Sequence, residues 1–143
     1  MPKMIFVNLP VRDLAASIAF YRAVGAEQNM QFSDETAAMM SFSAEINVML
    51  LTHDKFCQFT AKRIADAHES CQMLLALSCG DRAGVDDITG KALAAGGRET
   101  RAADDHGWMY GRSFEDPDGH VWEPMWMDVG AATQAMAGET ADA

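Results

Sequence analysis

Glu123 is a lone carboxylate inside the apolar run HVWEPMWMD, residues 120–128. A carboxylate there has two chemical uses: it can ligate a divalent cation, or move a proton as an acid or base. A third use is structural, a partly buried acid tied to an arginine, where breaking the pair costs about 3–5 kcal/mol. Arg112 is the partner the sequence offers. If EDPDGH is the loop of a hairpin, Phe114 lies opposite Val121 and Arg112 opposite Glu123. One face then carries Trp108, Tyr110, Arg112, Phe114, Val121, Glu123, Met125 and Met127, while Trp122, Pro124 and Trp126 pack under a helix. Arg112 and Glu123 become the polar anchors of an aromatic and Met-lined cleft, a setting that suits a small, partly apolar ligand. Fold role and ligand role both stay open at this point, and a one-residue slip would scramble the face.

The surrounding elements must hold that hairpin. MIFVNLPV (4–11) is β-rich and ends at a proline, and RDLAASIAFYRAVGA follows with Leu14, Ile18, Tyr21 and Val24 at helical spacing. Asp13 is placed to cap that helix and Gly25 to stop it. Three short strands are expected at about 28–33, 36–42 and 46–52, and a loosely helical connection at 53–70. The order then repeats: a strand at 71–79, a helix at 82–97 ending in a Gly pair, a short strand at 97–103, then the hairpin. The segment DDHGWMYG (104–111) reads as a rim or a turn into a strand, and 131–143 as a flexible, frayed tail. Strand alternation adds Phe6, Asn8, Met49 and either Met39 or Met40 to the candidate cleft, and Met-rich concave surfaces adapt to varied ligands.

The totals bound what such a domain can be. With 21 acidic against 11 basic residues, net charge −10, the chain lacks the basic face that nucleic acid requires. No apolar run is long enough for a membrane span. Three cysteines, Cys57, Cys71 and Cys79, cannot all pair and have no zinc-site spacing, which fits thiols in a reducing cytoplasm. The 143 residues are expected to form one domain over 1–130, with one module at about 3–52 and a second at about 71–128.

This order, with VNLPVRDLAASIAFYRAVGA (7–26), ALAAGG (92–97) and SFEDPDGHVWEPMWMD (113–128), resembles the vicinal oxygen chelate superfamily. That group includes glyoxalase I, bleomycin resistance proteins and extradiol dioxygenases, and the likeness is nearest to small bacterial glyoxalase-like proteins. The resemblance implies an α+β fold, two βαβββ modules forming a curved mixed sheet with a central cleft, and a homodimer. In metal-dependent relatives, ligands come from the first and last strand of each module, and Glu123 stands where the last of them would be.

The other three strands do not match that pattern. The position about seven residues before Asp13, where the resemblance implies a His, is Phe6; Asn8 is the nearest polar side chain. INVMLL offers Met49 and no acid or imidazole, and CQMLLALSC offers Gln72, Cys71 and Cys79. Catalytic zinc or iron sites use about three protein ligands. No cofactor is therefore expected, with a divalent metal on Glu123 kept as the alternative. His53, His68, His106 and His120 read as solvent residues near turns. The resulting expectation is a small-molecule binder of the bleomycin-resistance kind. The alternative is a lyase or isomerase of the lactoylglutathione lyase type, with Glu123 as acid or base. A ring-cleaving dioxygenase would need two His and a carboxylate that the strands do not supply.

Overall fold

The computed structural model describes residues 2–142, with side chains described to residue 138. Strand β1 (Ile5–Val11) leads into helix α1 (Leu14–Ala23), and strands β2 (Glu27–Asn29), β3 (Ala37–Ser41) and β4 (Ile46–Thr52) complete the first module. Its sheet has the order β1-β4-β3-β2, with β1 parallel to β4 and the rest antiparallel. After a single helical turn, α2 (His53–Phe56), residues 57–73 hold neither helix nor strand. The second module runs β5 (Leu74–Ser78), α3 (Arg82–Ala94), β6 (Arg98–Glu99), β7 (Asp104–Asp105), β8 (Met109–Gly111), β9 (Phe114–Glu115) and β10 (Val121–Met127). β5 lies parallel to β10, and β10 pairs antiparallel with β8 and β9, which in turn pair with β7 and β6. Each module therefore sets its first strand parallel to its last, and the curled sheets form a half-barrel of the expected α+β kind.

Local chemistry explains the two long helices. Asp13 accepts from the Ala16 N–H at 3.0 Å and Asp81 from the Gly84 N–H at 2.7 Å, each meeting an N–H that has no partner within the helix. Gly25 (φ 106°) and Gly96 (φ 100°) turn the chain at the far ends, a conformation that carries little penalty for glycine.

The helices cover one face of the sheets. Leu9, Val11, Ala38, Met40, Val48 and Leu50 from the first module share one buried cluster with Phe20, Tyr21, Ala92, Phe114 and Trp122. The modules thus share a core within a single chain. A hydrogen-bonded relay stitches them: Trp122 Nε1–H donates to the Tyr21 hydroxyl at 2.9 Å, which donates to Asp116 at 2.7 Å. Asp116 also accepts the backbone N–H groups of Asp118 and His120, both at 2.9 Å. Asp118 reaches the other way, accepting from the Arg12 N–H at 2.9 Å and the Ser17 hydroxyl at 3.3 Å. Most of the polar content of DPDGH is spent on holding α1 against the hairpin.

Several expectations at the element level change. The stretch 53–70 is helical only over His53–Phe56, and the strand expected at 28–33 ends at Asn29 in a 3-10 turn, Met30–Phe32. The 97–103 strand shrinks to Arg98–Glu99. Residues 104–111 hold two short paired strands. Helix α4 (Val129–Asp142) occupies the segment read as a frayed tail, of which Ala143 lies outside the described residues.

Candidate ligand-binding cleft

The hairpin differs from expectation by one residue. Its loop is Pro117-Asp118-Gly119 alone, because the Asp116 N–H donates to the His120 carbonyl at 2.9 Å and Gly119 takes φ 90°. A three-residue loop ending in a left-handed residue is a common hairpin closure. The pairs are consequently Val121 with Glu115, Trp122 with Phe114, Met125 with Gly111, Trp126 with Tyr110 and Met127 with Met109. One step of register sends alternate side chains to opposite faces.

Arg112 and Glu123 therefore do not meet. Arg112 sits against α3, donating to Asp86 at 3.0 Å and to Glu99 at 2.9 Å. The Tyr110 hydroxyl donates to the same Asp86 at 2.6 Å, and the Arg82 guanidinium lies 4.5 Å from the Tyr110 ring centre. Hydrogen bonds from Tyr110 and Arg112 hold the Asp86 carboxyl below its usual range. Trp108 stacks on His106 with ring centres 5.7 Å apart. Tyr110 and Arg112, placed in the cleft from sequence, belong to a polar cluster that fastens β8 to α3.

The opposite, inner face carries Phe6 and Asn8 from β1, Ala76 from β5, and Val121, Glu123 and Met125 from β10. Met49 lies beside Asn8 in register and opposite Met39, whereas Met40 is wholly buried in the core. Glu123 is paired after all, but with Arg101, at 2.7 Å. Its neighbour in register is Ala76. Among the described residues no three His, Cys, Asp or Glu side chains converge as a cation site. The Arg101 guanidinium occupies the Glu123 carboxylate, and no such triad of donors surrounds it among the described residues.

A cleft of about 430 Å³ opens at the seam between the modules. Asn8, Leu9 and Pro10 form one wall, Leu75, Gly119, His120 and Val121 another, and Phe56 with Thr60, residues 62–65, Ala67 and residues 70–73 supplies the roof. The roof is seated by close approach. A Cβ on Gly119 would stand 2.7 Å from the Ala67 carbonyl carbon and the His68 nitrogen, so only glycine admits the segment there. His68 Nδ1 also lies 3.8 Å from Glu115, which Arg98 holds at 3.1 Å. His120 Nε2 meets the Pro10 carbonyl at 2.8 Å, closing the seam. His53, His68 and His120 further line a polar side cavity of about 150 Å³ with Asp66 and Asp118.

Of the residues proposed from sequence, Asn8 lines the cleft; Phe6, Glu123 and Met125 lie on the same inner face beyond it, and Met49 adjoins Asn8. The roof residues were not anticipated. A connection longer than about 12–15 residues without regular structure is uncommon in a compact domain and is often a binding loop, which was the available signal.

Two electrostatic features follow from burial. Loss of solvent around Asp116 raises its carboxyl above the ordinary value, opposed in part by His120 and by the hydrogen bonds it accepts. Burial, reinforced by the adjoining Asp116, pushes the Tyr21 hydroxyl well above its usual range.

The family model for the Glyoxalase/Bleomycin resistance protein/Dioxygenase superfamily matches residues 3–123. The chain belongs to this superfamily. No curated protein matches the sequence. Among solved structures, a hypothetical protein from S. aureus is similar at 24% identity and TM-score 0.74, covering 88% of this chain and 94% of that one. A glyoxalase/bleomycin resistance protein/dioxygenase family enzyme from Burkholderia phytofirmans PsJN follows at 20% identity and TM-score 0.72, covering 88% and 99%. The fosfomycin resistance protein FosX from Mesorhizobium loti gives 16% identity and TM-score 0.66, covering 93% and 98%. At these identities the likeness is one of fold.

Proposed function

We propose that this protein binds a small organic ligand in the seam cleft and does so without a metal cofactor. The observation that carries the reading is the cleft itself: about 430 Å³ with walls such as Leu9, Pro10, Phe56, Ile64, Met73 and Val121, and a few polar groups including Asn8, Gln72 and His120. A mostly apolar concavity with sparse polar contacts is the usual form of a small-molecule site. The donor set around Glu123 supports binding over metal-assisted lyase or isomerase chemistry, since Arg101 already neutralises that carboxylate. Glu123 and Met125 extend the inner face on which a longer ligand would lie.

Two further parts of the reading concern assembly and setting. β1 and β5 each pair on one side only, and Ile5, Phe6, Met73 and Leu74 stand exposed near them, which supports a homodimer formed along these edges. Sedimentation velocity on the purified chain tests it, and a monomer at micromolar concentration would refute it. All three cysteines are free, in keeping with a reducing cytoplasm. Among the described residues no helix is long and apolar enough to cross a membrane.

The binding reading is tested by calorimetric titration of the full chain with octan-1-ol, alongside the variant Ala65→Trp, which places a ring in the roof of the cleft. Saturable binding by the parent and its loss in the variant are expected. Equal binding by both would move the ligand elsewhere.

A further inference from the structure

Charge is distributed around the cleft against the trend of the whole chain. The protein carries 21 acidic and 11 basic residues, yet no Asp or Glu lines the cleft, while Lys62 and Arg63 do. Most other arginines with an inward or lateral role are neutralised: Arg82 by Asp105, Arg98 by Glu115, Arg101 by Glu123, and Arg112 by Asp86 and Glu99. Among the described residues Lys62 and Arg63 have no carboxylate within ion-pair distance. Both sit on the roof segment, exposed toward solvent, above walls that are apolar. Asp66 and Glu69 lie on the same segment and Asp66 and Asp118 line the neighbouring cavity, but within the cleft itself the two cations without a carboxylate partner are the only charged lining side chains, and a neutral ligand would not use them.

Resting on the binding reading above, we infer that the ligand is an amphipathic carboxylate: an apolar body lodged between Pro10, Met73 and Val121, with its anionic head at Lys62 and Arg63. Arg63 offers a planar fork that matches a carboxylate's two oxygens, and Lys62 adds a mobile point charge. Asn8 and Gln72 supply amide groups along the wall for a further oxygen. At about 30 Å³ for each water-sized volume, the cleft has room for roughly a dozen heavy atoms. Octanoate is of that size. Exposure of the two cations makes the attraction one that salt weakens.

The test is calorimetric titration of the full chain with octanoate, octan-1-ol and octylamine, in low salt and in 1 M NaCl, with the double variant Lys62→Gln/Arg63→Gln in parallel. Octanoate is expected to bind at least tenfold more tightly than octan-1-ol, and octylamine more weakly than either. The preference should shrink in high salt and vanish in the double variant. Bound octanoate should also slow alkylation of Cys71, which lines the cleft, relative to Cys57, which does not. Equal affinity for octanoate and octan-1-ol, tighter octylamine, or an undiminished preference in the double variant overturns the anion assignment while leaving the cleft as a binding site. Binding by none of the three probes defeats both.

Discussion

Tyr21→Phe removes one oxygen atom from the fully buried centre of the relay and changes almost nothing in volume. The hydroxyl accepts from Trp122 Nε1 at 2.9 Å and donates to Asp116 at 2.7 Å. Its removal leaves an indole N–H without an acceptor in a side chain only 4% exposed. It also takes one donor from a largely buried carboxylate, which keeps its two backbone N–H bonds. An unsatisfied buried donor costs about 1–3 kcal/mol and a hydrogen bond to a charged group about 1.5–3 kcal/mol. Because the groups share one network the sum is discounted, to about 2–4 kcal/mol. At about 2.1 cal/mol/K per residue of unfolding entropy, that corresponds to roughly 7–13 °C in Tm for a chain of this length. Urea unfolding followed by tryptophan fluorescence and far-UV circular dichroism, with coincident transitions, gives the free energy directly. A loss below about 1 kcal/mol with an unchanged slope would refute the claim that this relay binds the two modules.

Other consequences follow from the same geometry. Gly119→Ala forces a side chain into a φ of 90° and against the Ala67 carbonyl, so it should cost more than about 1 kcal/mol and weaken octan-1-ol binding together with stability, measured by denaturation and titration on one sample. Asp116 is raised in the folded state, so between its unfolded and folded values the folded chain holds a proton that the unfolded chain has released. Its contribution is therefore present below the unfolded value of about 3.9 and is lost as pH rises through the folded value. The stability difference between the parent and Asp116→Asn should accordingly move in favour of the parent as pH falls through that window; a difference independent of pH would contradict it. Arg112→Ala breaks the contacts to Asp86 and Glu99 and should destabilise by about 1–2 kcal/mol while leaving ligand affinity unchanged, because Arg112 faces α3.

What could be read from sequence divides along physical lines. The two βαβββ orders were legible because Asp13 and Gly25 punctuate a helix whose apolar residues recur at helical spacing, and because the turn residues SAE (43–45) set off β4. The inner-face positions of Phe6 and Asn8 followed from the period of two along β1. The partners of Arg112 did not, because treating six residues as loop instead of three shifted the hairpin by one position. Alternation along a strand is blind to such a shift in the other strand. The roof of the cleft was illegible for a different reason. Residues 57–73 have no periodicity; their course is fixed by distant contacts, Gly119 with Ala67 and His68 with Glu115. Lys62 and Arg63 gain meaning only once that segment is laid over the seam.

Amide-resolved NMR titration of the full chain with octan-1-ol most directly tests where the ligand sits. Shifts concentrated at Asn8, Gln72, Met73, His120 and Val121, with Tyr110 and Arg112 undisturbed, are the expected result. Perturbation centred on Arg112 and α3, or none at saturating alcohol, would contradict a binding cleft at the module seam.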